Sequence, residues 1–299
     1  MRYSNLLILF IIIAFLTLNG CGSGSYPTST PVISTPTMTN VEVFHDLVYV
    51  EPVQPNVIAQ QIDVYKPLRS GTLPVVVFIH GSGGTKEGYI KESLALAEHG
   101  AVVFTPNWPS HLVDIAAKEN GAGFREMFEV LACAIQFARN NATKYGGDSS
   151  RLTLIGHSYG ATIGSWIALA GDNLDDFWEE LATERGGPPS QAECIEKEGS
   201  SAVDAFIGIA GTYKLSSTLQ ESDPELWNVV SPVAQVGHGL MLPVRLLHGE
   251  RDTINPALPT QMNNILMNSD YDTSLIFYDG VHNVPIDVTI EVFSELMGE

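Results

Sequence analysis

Leu152-Thr153-Leu154-Ile155-Gly156-His157-Ser158-Tyr159-Gly160-Ala161-Thr162-Ile163-Gly164 is an apolar run that passes through Gly-His-Ser-Tyr-Gly into a stretch of small residues. It reads as a strand, a sharp turn and a helix. Leu152, Leu154 and Ile155 precede the turn, and Ala161, Ile163, Trp166, Ile167 and Ala170 follow it at helical spacing. A serine in such a turn sits in strained backbone with its hydroxyl exposed, and glycines two before and two after let strand and helix pass close together. Ser158 is therefore the candidate nucleophile. In a chain with 27 glycines the Gly-x-Ser-x-Gly pattern is weak by itself, and the flanking strand and helix patterns carry it against the plainer alternative of a serine capping a helix.

Working outward, strands alternate with helices. Val41 to Val50 and Val57 to Tyr65 read as paired strands, broken by Pro52, Gln54, Pro55 and Asn56. Val75 to Ile79 is a continuous apolar run of the kind found in a central parallel strand, and it ends in His80-Gly81-Ser82-Gly83-Gly84. A helix around Tyr89 to His99 precedes a strand at Ala101 to Thr105. Phe124 to Ala138 puts Phe124, Met127, Phe128, Leu131, Ile135 and Ala138 on one helical face. After the nucleophile, residues 171–200 are rich in acids and hold Gly186-Gly187-Pro188-Pro189, which reads as an excursion at the sheet edge and part of a cap. There Asp172, Asn173, Asp175 and Asp176 fit a solvated acidic helix start better than a hard-cation site. Ala205 to Ile209, Val244 to Leu247 and Leu275 to Tyr278 are further strands, residues 211–240 are irregular, and a helix closes the chain from about Val288 to Met297. The expected fold class is α/β, a mostly parallel sheet of about eight strands flanked by helices, with a small cap insertion.

Residues 1–20 do not belong to that domain. Leu6 to Leu18 is an apolar core behind Met1-Arg2, too short to span a bilayer comfortably and suited to a secretory signal; the alternative is a transmembrane anchor. Leu18-Asn19-Gly20-Cys21 resembles the bacterial lipoprotein lipobox, which implies that Cys21 becomes a lipidated N-terminus and that the protein is exported and held at the extracytoplasmic side of a membrane by that anchor alone. Residues 21–40 are dominated by Pro, Ser, Thr and Gly and read as a flexible tether, which leaves residues 41–299 as the catalytic domain. A formal net charge of -19 argues against nucleic acid or anionic lipid as a partner. With Cys21 set aside, Cys133 and Cys194 remain, and both a disulfide and two small buried thiols are open.

A serine hydroxyl is a poor nucleophile at neutral pH, so an imidazole must take its proton and a carboxylate must orient that imidazole. Asp252 follows the strand that ends in His248-Gly249, and His282 follows the strand that ends in Phe277-Tyr278. Loops at the carboxyl ends of neighbouring parallel strands converge on one crevice, where Ser158 also lies. At this point the chain resembles the α/β-hydrolase family across residues 41–299. The likeness rests on four motifs in order, beginning at His80, Gly156, His248 and Gly280, and within the family it is most similar to the secreted esterase and dienelactone-hydrolase-like group, with Asp63-Val64-Tyr65-Lys66-Pro67 as a shared strand. The resemblance implies Ser158 as nucleophile, Asp252 as acid and His282 as base. It also implies an oxyanion hole made by the backbone N–H groups of Tyr159 and Ser82, with Gly83 in reserve. His80, His157, His238 and His248 are weaker rivals for the base, and Glu250 and Asp223 for the acid. Trp108, directly after a strand end, is a candidate substrate contact.

The expected function is a serine carboxylic-ester hydrolase that works through an acyl-enzyme on short acyl groups, with no cofactor or metal. The alternatives are a peptidase or amidase of prolyl-oligopeptidase type and a non-catalytic binding lipoprotein on the same fold. A lipase is disfavoured by the acidic residues 171–200, and dienelactone chemistry by serine where cysteine is usual.

Overall fold

A computed structural model describes residues 40–52, 59–113, 123–173 and 192–298. Among these residues nine strands form one sheet: β1 (Val41–Pro52), β2 (Gln60–Pro67), β3 (Leu73–Ile79), β4 (Val102–Pro106), β5 (Gly147–His157), β6 (Ala192–Cys194), β7 (Ala205–Ile209), β8 (Val244–Gly249) and β9 (Thr273–Tyr278). Their order in space is β6-β1-β2-β4-β3-β5-β7-β8-β9. The pairings of β1 with β6 and β2, and of β2 with β4, are antiparallel. From β4 through to β9 every pairing is parallel. The helices are α1 (Ile90–Glu98), α2 (Phe124–Asn141), α3 (Tyr159–Ala170), three short ones, α4 (Ser217–Ser222), α5 (Pro224–Val230) and α6 (Pro232–Gln235), then α7 (Ala257–Asn268) and α8 (Ile286–Met297).

Both faces of the sheet are covered, which is why β3 and β7 are buried at every position and read as unbroken apolar runs. Alternate side chains serve opposite faces. Val75, Val77 and Ile79 join Phe128 of α2 and Trp166 of α3 in one core, and Val76 and Phe78 join Leu96 of α1 and Phe293 of α8 in the other. Phe128 and Trp166 stack with ring centroids 3.9 Å apart.

Eight strands lie where the residue pattern puts them, and β6 is the addition. Its three residues pair antiparallel with Val50, Glu51 and Pro52 of β1, and Cys194 is joined to Cys133 of α2 by a disulfide, the Cα atoms 5.3 Å apart. Residues 211–240 are more regular than expected. Ser216 accepts a hydrogen bond from the Leu219 N–H and Asp223 from that of Leu226, capping α4 and α5, while Pro224 and Pro232 start α5 and α6. Helices of 4 to 7 residues are too short to show a period, so only their caps mark them. Asp172 is exposed, and its carboxylate accepts hydrogen bonds from the Ser200 hydroxyl and the Ser201 and Ala202 N–H groups. The signal and tether in residues 1–39, and Asp175 and Asp176, lie outside the described residues. Among those described, no helix is long and apolar enough to cross a membrane.

Candidate active site

β5 delivers Ser158 to the carboxyl edge of the sheet, and the serine adopts φ 56° and ψ -124°, left-handed backbone that a non-glycine residue takes only when its surroundings hold it there. Its N–H donates to the Ile209 carbonyl at 2.8 Å, and its carbonyl accepts from Ala161 and Thr162, so the turn is tied at once to β7 and α3. The two flanking glycines are required by close approach. A Cβ on Gly156 would lie 2.5 Å from the Gly160 carbonyl oxygen, and one on Gly160 would lie 2.4 Å from that of His80.

The loops after β8 and β9 bring in the other two groups. His282 Nε2 is 2.9 Å from Ser158 Oγ, and its Nδ1 is 3.0 and 3.1 Å from the two Asp252 carboxylate oxygens. The Asp252 side chain is fully shielded from solvent and His282 is partly open. Burial would raise the Asp252 pKa, but the Ile254 N–H at 2.8 Å, the hydrogen bond to His282 and the positive potential of the neighbouring imidazoles hold it below the ordinary carboxylate value. The rivals lie elsewhere. Glu250 and His238 are exposed, Asp223 caps α5, and His248 is buried with Nε2 3.1 Å from the Ile254 carbonyl, where it braces the Asp252 loop.

Beside Ser158, the loop after β3 runs so close that a Cβ on Gly81 would be 3.0 Å from Ser158 Cβ. The Gly81 N–H is taken by the Tyr89 hydroxyl at 3.2 Å, whereas the N–H groups of Ser82, Gly83 and Tyr159 have no protein partner among the described residues. The amide of Tyr159 also opens α3, so the positive end of that helix faces the same point.

One correction concerns Trp108, and one addition concerns Tyr89. Trp108 is not on the cavity wall. It is 4% exposed, stacks on His80, and donates its indole N–H to the His80 carbonyl at 3.1 Å, so it props the loop from behind. Tyr89 is more than a packing residue, because its hydroxyl bridges the Gly81 N–H to His157 Nδ1, 2.7 Å away. The turn that carries Tyr89 is itself pegged. The Lys86 ammonium, 3% exposed, is 2.8 Å from Asp63, 2.7 Å from Asp46 and 3.0 Å from Glu87, and the Lys86 N–H donates to Asn107. Burial lowers the Lys86 pKa, and the three carboxylates outweigh that and raise it. Asp63→Ala is expected to cost about 3 kcal/mol in urea unfolding, the low end for breaking a buried pair because Asp46 and Glu87 remain.

His80 and His157 are both held at pKa values of about 4, in each case mainly by burial; the neighbouring His282 lowers His157 further. Unfolded, each takes a proton near its ordinary value of 6.5. Between 6.5 and about 4 the unfolded chain therefore binds more protons, and stability falls as pH is lowered through that window. Chemical unfolding at pH 5 compared with pH 7 should show a loss of roughly 2 kcal/mol per histidine, and His157→Gln should remove one share of that slope.

A cavity of about 480 Å³ reaches Tyr159, the residue after the nucleophile, and is lined in part by Thr212, Leu215, Leu219, Phe124 and Leu258 as well. Leu258 lies in the first turn of α7, just after the Asp252 loop.

Comparison with known proteins places these features in a family. The family model BD-FAE matches residues 62–266. Esterase LipC of Mycobacterium tuberculosis is 28% identical over 233 residues, which cover 66% of this chain and 49% of that protein. Gut esterase 1 of Caenorhabditis elegans is 24% identical over 187 residues, 50% of this chain and 32% of its own length. The chain thus spans half or less of the length of these curated relatives. A propionate-bound esterase structure from Thermogutta terrifontis superposes with a TM-score of 0.62 at 17% identity, covering 84% of this chain and 93% of that one, and shares the α/β-hydrolase fold.

Proposed function

We propose, from the premise that the chain belongs to the BD-FAE family, that it is a carboxylic-ester hydrolase with Ser158 as nucleophile, His282 as base and Asp252 as the acid that orients it. The observation that carries this reading is His282 bridging Ser158 Oγ at 2.9 Å and Asp252 at 3.0 Å. Ser158 Oγ attacks the ester carbonyl while His282 Nε2 takes its proton, and the tetrahedral oxyanion lies against the amides of Tyr159 and Ser82, with Gly83 in reserve. His282 then gives the proton to the departing alcohol. Water, deprotonated by the same nitrogen, releases the acid from the acyl-enzyme.

The esterase relatives lend the reaction class support, and short acyl groups are part of the same proposal. Hydrolysis of p-nitrophenyl esters from acetate to palmitate is expected to peak at the short end, and a fluorophosphonate probe should label Ser158. A folded protein inert to the whole series and to the probe overturns the reading. Because the oxyanion donors are main-chain groups, Ser82→Ala should change kcat by less than about twofold, whereas losing a donor costs about 3 kcal/mol.

Export and lipid anchoring through Cys21 belong to the same proposal, supported by the Leu18-Asn19-Gly20-Cys21 motif. Radioactive palmitate should label the wild type and spare Cys21→Ser.

A further inference from the structure

The cavity is largely apolar, yet among the residues that line it Lys214 carries a charge. Lys214 has no carboxylate partner among the described residues; its Nζ lies over the Trp227 ring, 5.7 Å from the centroid. Lys66, Lys86, Arg125 and Arg245 are ion-paired, whereas Lys144, like Lys214, lies over an aromatic ring; what sets Lys214 apart is its place in the cavity lining. Lys214 is half-buried, and an anion seated in the cavity would give its ammonium a counter-charge that the described residues do not supply.

The backbone that presents Lys214 is held in unfavourable geometry. Ala210 and Tyr213 both have φ of 54°, left-handed for residues with side chains. Ala210 is kept there by its N–H bond to Leu247, and the next turn is kept by Thr162, whose hydroxyl accepts from the Thr212 N–H at 3.0 Å. Thr162 is in the first turn of α3, four residues after Ser158, so the lysine is built onto the same helix start as the nucleophile.

We propose that Lys214 makes this cavity selective for esters that carry a carboxylate, the anion seated against the ammonium while the ester reaches Ser158. The proposal rests on the ester-hydrolase reading. The net charge of the chain works against anionic substrates at long range, so a preference for them has to come from a local cation.

The test uses two matched pairs: mono-p-nitrophenyl adipate with its methyl ester, which puts the carboxylate on the acyl side, and para-acetoxybenzoate with its methyl ester, which puts it on the alcohol side. In wild type kcat/KM should favour the acid over its methyl ester by about fivefold in one pair, the size expected of a single partly screened ion pair. Lys214→Met should bring that ratio to about one, and Lys214→Arg should keep it. Because each variant is read as a ratio, a general loss of activity cancels. Hydrolysis without preference for either acid, or a preference that survives Lys214→Met, overturns the role of Lys214 and leaves the esterase reading standing. Failure to cleave any of the four esters overturns both.

Discussion

Replacing Ser158 by Ala is expected to lower kcat by about a millionfold, the scale seen when the nucleophile of a serine triad is removed. The hydroxyl is not one contributor among many. Without it there is no acyl-enzyme, and His282, still 3.0 Å from Asp252, has no proton to take. What survives is the oxyanion site and binding. For the same reason His282→Ala should cost a similar amount and the double variant little more, since the groups act as a unit. Asp252→Asn should fall by about ten-thousandfold, because an amide at that position presents Nδ1 of His282 with the wrong partner and favours the wrong tautomer. Steady-state hydrolysis of p-nitrophenyl butyrate by the purified variants measures all four. If Ser158→Ala retained full activity, the arrangement around it would be structural and the chemistry would lie elsewhere.

The second large effect is on stability. Cys133 and Cys194 close a loop with a sequence separation of 61 residues, and the chain-entropy estimate for a loop of that size is about 4 kcal/mol. The variant with both cysteines changed to alanine should lose about that much in urea unfolding. Its activity at 25 °C should stay close to wild type. Cys194 lies on β6 at one end of the sheet, whereas Ser158, Asp252 and His282 follow β5, β8 and β9 toward the other. An intact mass in denaturant that shows two free thiols without reduction would remove the basis of this expectation.

What was legible in the chain was whatever is written locally. Buried strands announce themselves as runs such as Val75 to Ile79, and the strand-turn-helix at Ser158 combines an apolar run, two glycines and a helical stripe within a dozen residues. Asp252 and His282 could be placed because each directly follows such a run. Features made by residues far apart were not legible. Nothing near Lys86 says that it will be buried against Asp63 and Asp46, and nothing near Tyr89 says that its hydroxyl will join Gly81 to His157. Trp108 shows the same limit from the other side: its place after a strand end suggested a cavity wall, but the indole turned under the His80 loop. Helices α4 to α6 escaped because one or two turns are too few to show a period, and α7 because its buried face is only Pro259, Met262 and Leu266. Of residues 171–200, read from the sequence as part of a cap, residues 174–191 lie outside the described residues.

The three residues of β6 have one more consequence. They cover part of the outer edge of β1, a strand of 12 residues whose far side would otherwise offer a row of free N–H and C=O groups. Such an edge is a template for strands of other molecules. A bond from Cys194 to α2 keeps the short cover in place, so reduction of that bond should do more than soften the fold: it should expose a docking edge and let copies of the domain associate with rising concentration.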